Sequence, residues 1–382
     1  MKNNLSIINN KKNTPPHKIV LCTLRDNNGA TGGPGGVLYL LSQFLGNDID
    51  GIPCEYRFNP VMSRRMGARF NRQILNLQCR LEHNTFYVAH DIQTGAILAE
   101  LNKPYSLVYH NQGPIVQERL NFGINMTEDE MNYWKSRERK AFIGATTLHF
   151  PSRGASDMFF GNDYASCMSE DVTLGTPLYN TIPKENIKKV DGVEKKEDTI
   201  SFFSLGTITE AKGQDSSIIF IERFLEKCGD KKVRYIVVGK GPLQELVCSK
   251  GNDLMHRYPN FEFVYFKSLL HSEVAYVHEI SDVYLMLHRL SIFDFATLEA
   301  MIAKTAIILS PVGGNLDFDK MNNVIYASDD YSDAINRLSY EEIERLKVLN
   351  YEVFQRYFSP EAFAEAYRKM IRLNVGISNA HE

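Results

Sequence analysis

Residues Ser291–Gly314 read SIFDFATLEAMIAKTAIILSPVGG. The stretch has apolar residues at helical spacing, Leu298, Met301 and Ile302. That spacing predicts a helix over Ala296–Ala303 with one buried side. The run Ala306–Leu309 has the composition of a buried parallel strand, and residues 311–314 then predict a turn. Loop, short helix, buried strand and turn follow one another as they do in an α/β protein with a parallel sheet.

Glu299 lies near the first turn of that predicted helix. A carboxylate at this place can accept hydrogen bonds from both hydroxyls of a ribose, and the free amides of a helix N-terminus attract a phosphate. The same carboxylate can instead complement the helix dipole without any ligand, which is worth about 0.3–1 kcal/mol. The stretch alone leaves both interpretations open.

The whole chain has 382 residues, 43% of them hydrophobic, and its 43 basic and 46 acidic side chains give a net charge of −3. This length predicts two domains, and the charge argues against a dedicated nucleic-acid-binding protein. Six cysteines without a CxxC pair are typical of a reducing compartment and not of a disulfide framework or a zinc site. No apolar run approaches the ~20 residues of a membrane span. We therefore expect a cytoplasmic protein, with a disordered tail at residues 1–15.

A glycine-rich segment, Gly29–Gly36, follows the predicted strand Lys18–Leu24 and leads into a helix. Strand, glycine loop and helix form the frame in which backbone amides bind a phosphate. The dinucleotide fingerprint is incomplete, because Leu38 stands where its third glycine belongs. Glu55, about 20 residues further on, still keeps an NAD site open. A flexible turn is the structural alternative.

Two histidines stand at the ends of successive predicted strands, His90 in Thr85–Asp91 and His110 after Tyr105–Tyr109, with Gln112 close behind. Ligands bind at the carboxyl ends of strands in an open parallel sheet. A single histidine there is more often structural, but two together favour a site.

Ser63–Gln73 places Arg65, Arg69 and Arg72 on one face of a predicted helix. A solvated face is the simpler interpretation. The alternative is contact with anionic lipid headgroups or with a pyrophosphate acceptor.

Residues 186–198 are dense in charge and nearly free of aromatic side chains, which is the composition of a surface linker. They separate a domain at 16–185 from one at 199–360, and a terminal helix at about 361–382 is expected to pack back on the first domain. The second domain has a set of predicted strands separated by helices: Thr199–Leu205, Val233–Val238, Phe261–Tyr265, Asp282–Leu287 and Ala306–Leu309. They predict a second doubly wound sheet.

Three motifs in this second half resemble the large retaining family of GT-B glycosyltransferases usually numbered four, the glycosyl transferases group 1. Ser204–Gly213 resembles the strand and loop in which an Arg and a Lys grip the donor diphosphate. Val238–Leu243 is similar to the glycine-proline turn that opens the next helix, and Ser291–Gly314 resembles the motif with two Glu flanking seven residues. Weaker matches in the first half are Gly35–Val37, His110 and Phe150–Ser152. The fold implied is α/β GT-B, with two Rossmann-like doubly wound domains facing a central cleft.

The resemblance implies that Lys212 pairs with the diphosphate, that Glu299 accepts from the ribose, and that His110 lines the sugar and acceptor side. These three are the catalytic candidates. The donor-binding candidates are Gly35, Gly36, Gly206, Thr207, Lys212, Gly241, Phe266, Ser268, Ser291, Asp294 and Glu299. The acceptor-side candidates are His90, His110 and Gln112.

Two positions depart from the family pattern. Thr207 stands where the family usually has Arg, which removes one bidentate grip on phosphate. Ser291 stands where the first Glu, which faces the donor sugar, is expected. Asp294 is the nearest residue to supply the missing carboxylate.

The activity implied is a metal-independent, retaining hexosyltransferase that uses a nucleotide sugar, with UDP-sugars favoured, and no cofactor. The acceptor is expected to be a glycan, a lipid-linked glycan or a protein, for example in polysaccharide biosynthesis. One alternative is a non-catalytic GT-B partner subunit, which Thr207 and Ser291 motivate. The others are an epimerase or phosphate-using lyase on the same scaffold and, more distantly, a dehydrogenase.

Overall fold

A computed structural model describes residues 15–27, 29, 33–59, 67–111, 113–121, 123–166 and 168–376. Its strands are β1 (Lys18–Cys22), β2 (Asp48–Ile49), β3 (Ile52–Arg57), β4 (Thr85–Ala89), β5 (Tyr105–Val108), β6 (Thr147–His149), β7 (Thr199–Leu205), β8 (Lys232–Val238), β9 (Phe261–Phe266), β10 (Val283–Met286), β11 (Ala306–Leu309) and β12 (Val324–Tyr326).

The helices lie mostly between these strands. They are α1 (Gly33–Phe44), α2 (Gly67–Leu81), α3 (Ile92–Glu100), α4 (Ile115–Asn121), α5 (Glu128–Ile143), α6 (Arg153–Phe160), α7 (Asp163–Ser166), α8 (Gln214–Lys227), α9 (Gln244–Arg257), α10 (His271–Ile280), α11 (Phe295–Ile302), α12 (Ser332–Asn336), α13 (Tyr340–Val353) and α14 (Pro360–Val375). Short 3₁₀ turns occur at Glu210–Lys212 and Gly313–Phe318. No helix in the described ranges is long and apolar enough to cross a bilayer.

The strands form two six-stranded sheets, one in each half of the chain. The first has the order β2-β3-β1-β4-β5-β6, with only the short β2–β3 pair antiparallel, and the second has the order β12-β11-β10-β7-β8-β9. Chain order reverses beside β1 in the first sheet and beside β7 in the second. In such sheets a ligand crevice lies at the carboxyl ends of the strands where the order reverses. Each lobe therefore has one such place, between β1 and β4 and between β7 and β10.

Local sequence signals account for several of these elements. Thr127 and Glu130 form a reciprocal capping box at the start of α5, as their spacing predicts. Every residue of β4, β10 and β11 is buried, in keeping with their apolar runs and with helices on both faces of each sheet. Residues 186–198, the predicted linker, form no helix or strand.

The last helix returns to the first sheet. Phe363, Tyr367 and Ile371 of α14 are buried in one cluster with Ile19 and Leu21 of β1. Because α14 follows the second lobe in the chain but packs on the first, it ties the two lobes together. Burying a large apolar side chain stabilises the fold by about 1.5–3 kcal/mol.

A second connection joins the lobes at the start of α6. The Asp317 carboxylate accepts hydrogen bonds from the backbone amides of Arg153 (3.1 Å) and Gly154 (2.9 Å) and from the Tyr179 hydroxyl (3.0 Å). Gly154 has to be glycine for this approach, since a Cβ there would lie 2.0 Å from the carbonyl oxygen of Gly313. One lobe thus caps a helix of the other with a charged side chain.

Candidate functional site

A cavity of about 330 Å³ lies between the two lobes. The second lobe contributes Lys212, which follows β7, and the segment 290–296, which follows β10. The first lobe contributes Gly33, His110, Pro151 and others. The cavity is thus at the point of the second sheet where strand order reverses, and it brings together Lys212, His110, Ser291 and Asp294 of the predicted site residues.

Lys212 forms an ion pair inside this cavity. Its Nζ lies 2.6 Å from Oδ1 of Asp294, and its side chain keeps 30% exposure against 7% for Asp294. The next residue, Gly213 at φ 72°, packs closely on the backbone of Leu287. A Cβ at position 213 would lie 1.7 Å from the carbonyl oxygen of Leu287, so the position requires glycine. The ammonium that we predicted to hold a diphosphate is therefore paired with a carboxylate in this structure.

Asp294 is the N-cap of α11, which begins one residue before the predicted start. Its Oδ2 accepts from the Thr297 amide (3.2 Å) and the Tyr284 hydroxyl (3.1 Å). Burial alone would raise the pKa of Asp294, but Lys212 and His288 hold that pKa well below its usual value. Asp294 is thus ionised. Its carboxylate accepts a hydrogen bond from the Thr297 amide, which was among the helix amides expected to bind a phosphate.

Glu299 faces a different group of side chains. It is the fifth residue of α11, so it lies in the second turn and not near the first. Its carboxylate oxygens are 3.9 Å from Nδ1 of His271 and 3.7 Å from Nε2 of the buried His278. Asp294 and Glu299 are separated by roughly 7.5 Å along the helix axis.

The other donor candidates surround the ends of β7, β8, β9 and β10. Thr207 and Ser268 are exposed, Phe266 is half-buried, and the hydroxyl of the buried Ser291 has no hydrogen-bond partner among the described residues. Gly206 lies against Lys212, since a Cβ on it would be 3.9 Å from that side chain. Gly241 meets a packing need, because a Cβ there would lie 2.2 Å from the carbonyl oxygen of Ile208.

The predicted glycine loop is partly helix. Gly35 and Gly36 are buried residues of α1, which begins at Gly33. A Cβ on Gly35 would lie 2.1 Å from the carbonyl oxygen of Asp26. The expectation that both glycines stand in a loop was therefore wrong, and Gly35 serves close packing of α1 on the turn after β1.

The two strand-end histidines lie one behind the other. His110 lines the interlobe cavity, whereas His90 is fully buried between His110 and Tyr367 of α14. A hydrogen bond of 3.2 Å joins His90 Nδ1 to His110 Nε2. Burial lowers the pKa of His110 to about 4, and burial also lowers the pKa of His90 well below its usual value. Both rings are neutral at pH 7, and His90 positions His110 without reaching the cavity itself.

Glu138 of α5 supports the segment that carries His110, and sequence reasoning missed it. Its Oε1 accepts from the Tyr109 hydroxyl (2.6 Å) and from the Ile115 amide (2.8 Å). Burial raises the pKa of Glu138 to about 7. A buried acid inside a charge-rich helix was the signal available, but its partners are distant in sequence.

The predicted arginine face is only partly exposed. Arg69 is exposed, whereas Arg72 is half-buried and donates to the Tyr133 hydroxyl at 2.8 Å. Arg65 and the acceptor candidate Gln112 lie outside the described residues. No group of three or more His, Cys, Asp or Glu side chains suited to a metal ion occurs among the residues whose positions are described.

Comparison with known proteins finds a matching family for the second lobe. The family description "Glycosyl transferases group 1" matches residues 184–356, which contain Lys212, Asp294 and Glu299. No curated protein sequence matches the chain.

Solved structures match almost the whole chain at low identity. A trehalose-6-phosphate structure from E. coli bound with UDP-2-fluoro glucose has a TM-score of 0.62 at 12% identity, with 93% of this chain and 99% of that chain covered. Anabaena HepE in complex with UDP has a TM-score of 0.60 at 13% identity, with 93% and 100% covered. The N-terminal domain of Candida albicans trehalose-6-phosphate phosphatase has a TM-score of 0.66 at 13% identity, with 94% and 100% covered. At these identities the likeness shows the fold, which is GT-B, and residues 184–356 of the chain match the family of glycosyl transferases group 1.

Proposed function

We propose that this chain is a retaining glycosyltransferase that moves a hexose from a nucleotide sugar, with UDP-sugars favoured, to a hydroxyl of a glycan, a lipid-linked glycan or a protein. The main support is the interlobe cavity, in which Lys212, His110 and the start of α11 meet where strand order reverses. The family match of the second lobe and the UDP in neighbouring structures also support this proposal.

The chemistry needs stabilisation of a diphosphate leaving group. Negative charge develops on the bridging oxygen as the sugar departs, and a fixed ammonium close to that oxygen lowers the barrier. Lys212 supplies the ammonium, after the diphosphate has displaced Asp294 from it. For retention we propose that the leaving phosphate acts as base on the face that the acceptor hydroxyl attacks. No protein nucleophile is part of this proposal.

His110 contributes hydrogen bonding and not charge. Its Nε2 is shared with His90, which leaves Nδ1 for a sugar or acceptor hydroxyl. We propose that Glu299 accepts from the ribose, from a position on α11 that also faces His271.

Metal independence is part of the proposal, because Lys212 can supply the positive charge that a divalent cation supplies elsewhere. Dialysis against EDTA should leave turnover unchanged within about twofold. A loss of activity that Mg²⁺ or Mn²⁺ restores would contradict it.

Three observations favour a second candidate, a non-catalytic GT-B subunit that serves a partner transferase. Thr207 and Ser291 replace the expected Arg and Glu, and Asp294 occupies Lys212. The two candidates differ in turnover. A screen of nucleotide sugars with mixed glycan and lipid-linked acceptors should release free nucleotide only when an acceptor is present. Binding of nucleotide without any release would favour the non-catalytic subunit, and release without an acceptor would favour an enzyme that transfers the sugar to water.

We propose a cytoplasmic location with peripheral contact to an anionic membrane through α2. The free cysteines of the described chain support a reducing compartment. The exposed side of α2 combines Arg69 and Arg80 with Phe70 and Leu77, which is the composition of a membrane-surface helix. Vesicles with anionic lipid should therefore sediment the protein, and neutral vesicles should not. Equal sedimentation with both would contradict this contact.

A further inference from the structure

A second cavity, of about 640 Å³, lies in the first lobe and was not part of the predicted site. It is lined by the turn after β1, which holds Arg25, and by the turn after β4, which holds Asp91. These are the two strands between which the order of the first sheet reverses, so this cavity occupies the ligand-binding place of the first lobe.

The first-lobe cavity adjoins the interlobe cavity. Three pairs of consecutive residues contribute one member to each of them: Gly33 and Pro34, His110 and Asn111, and Glu118 and Arg119. A molecule held in the first-lobe cavity therefore lies beside the segment that carries His110.

Two guanidinium groups in the first-lobe cavity have no ion-pair partner among the described residues. Arg25 is exposed at its mouth, and Arg119 of α4 is half-buried. The Nε of Arg119 is buried without a hydrogen-bond partner, and its guanidinium lies 3.8 Å from the ring centre of Trp134. Burial and then the neighbouring Arg25 lower the pKa of Arg119. An anion between the two groups would relieve that repulsion and satisfy the free donors.

The acidic residues that line the cavity do not neutralise these arginines. Asp91 accepts from the amides of Leu24, Gln93 and Thr94 and so is committed to holding the start of α3. Asp26 is exposed and accepts from Asn59. Two unpaired guanidiniums match the charge of a phosphate monoester, which is about −1.5 to −2 at pH 7.

We propose that the first-lobe cavity binds the phosphate monoester of a phosphorylated acceptor between Arg25 and Arg119, with the acceptor sugar packed near Trp134. That the bound molecule is the acceptor rests on the proposed function, whereas the anion site rests on the contacts of Arg25 and Arg119. The phosphate is held in the first lobe, and the reactive hydroxyl lies on the side of the cavity next to His110.

The test is calorimetric titration of the full chain with a hexose 6-phosphate, with inorganic phosphate, with glucuronate and with the uncharged hexose. We expect the hexose phosphate to bind most tightly and the uncharged hexose least. Trp134 is the only tryptophan of the chain, so its fluorescence should change with the same dissociation constant. Glucuronate binding as tightly as the hexose phosphate would overturn the assignment to phosphate.

Matched variants locate the site. Arg25→Gln and Arg119→Gln should each weaken the hexose phosphate by about tenfold or more. Arg139→Gln, which removes the same charge from an exposed pair with Asp171, should bind as the parent does. Arg25 is exposed, so its variant tests the site even if Arg119→Gln does not fold. Unchanged affinity in Arg25→Gln would overturn the proposal.

Separate titrations with UDP distinguish this inference from the proposed function. Lys212→Ala should lose UDP and keep the hexose phosphate. A parent that binds the hexose phosphate but not UDP would refute the nucleotide-sugar function and leave the anion site intact. A parent that binds UDP but no phosphate-bearing probe would refute the anion site alone.

Discussion

Under the proposed function, Lys212 exchanges one anionic partner for another when a nucleotide sugar binds. Its ammonium is 2.6 Å from Asp294, and Asp294 is held in place by Tyr284 and by the amide of Thr297. The Asp294 carboxylate therefore competes with a diphosphate for the ammonium of Lys212. The affinity for the diphosphate is then the difference between two charge-assisted contacts.

Asp294→Asn should bind UDP more tightly than the parent, by about tenfold. The amide keeps the N-cap of α11 but no longer neutralises Lys212. Calorimetric titration with UDP measures this, and a melting curve checks that the helix cap survives. If Asp294 instead contacts the donor sugar, as the sequence comparison suggested, turnover with a UDP-sugar falls while UDP affinity stays the same. Weaker UDP binding in the variant would contradict the competition described here.

The residue types of this site were readable from the sequence, but their pairing was not. Lys212 and Asp294 are 82 positions apart, so no periodicity connects them. The burial of His90 and the use of Asp294 as a helix cap depend on packing between distant elements. Spacing predicts which residues end a strand, but not which of two such residues reaches the cavity.

Helix α5 holds the segment that carries His110 in place through hydrogen bonds. Glu138 reaches from α5 to Tyr109 and to the first amide of α4. The elements themselves were predicted well where the apolar run was continuous, as in β7 and β11, whose bounds coincide with the expected ones. Prediction failed at Gly35 and Gly36, because glycine that serves close helix packing and glycine that forms a loop look alike in sequence.

Glu138→Gln should remove a pH dependence of stability. The pKa of Glu138 is raised to about 7 in the fold, above about 4.3 for an exposed Glu. Its carboxyl therefore favours the folded state below the unfolded pKa and loses that advantage as pH rises through about 7. Relative to the Gln variant, the parent should lose about 3 kcal/mol of unfolding free energy between pH 4.5 and pH 8. Urea unfolding at several pH values measures the difference, and parallel curves for the two proteins would contradict the assignment.

Two connections between the lobes set the width of the cleft. One is the packing of α14 on the first sheet, and the other is the carboxylate of Asp317 on the start of α6. The return of the terminal helix to the first domain was expected from the sequence, but the Asp317 contact joins residues that are distant in the chain and was not predictable from local patterns.

Asp317→Asn should loosen the lobes. The variant loses a charge-assisted contact to the amides of Arg153 and Gly154, which costs about 1–3 kcal/mol. We expect a lower melting temperature, a larger radius of gyration by X-ray scattering and weaker UDP binding. Asp171→Asn, at an exposed surface pair, is the control and should match the parent. A variant of Asp317 that keeps the parent's radius and affinity would show that this contact does not hold the cleft.

The most direct measurement is the affinity of UDP for the parent, for Lys212→Ala and for Lys188→Ala. Lys188 is an exposed lysine paired with Glu273, so its variant removes the same charge away from the cavity. A diphosphate held by the interlobe ammonium requires that the parent binds UDP, that Lys188→Ala binds it equally, and that Lys212→Ala binds it at least tenfold more weakly. Equal affinity of the parent and Lys212→Ala, or no binding by the parent, would contradict it.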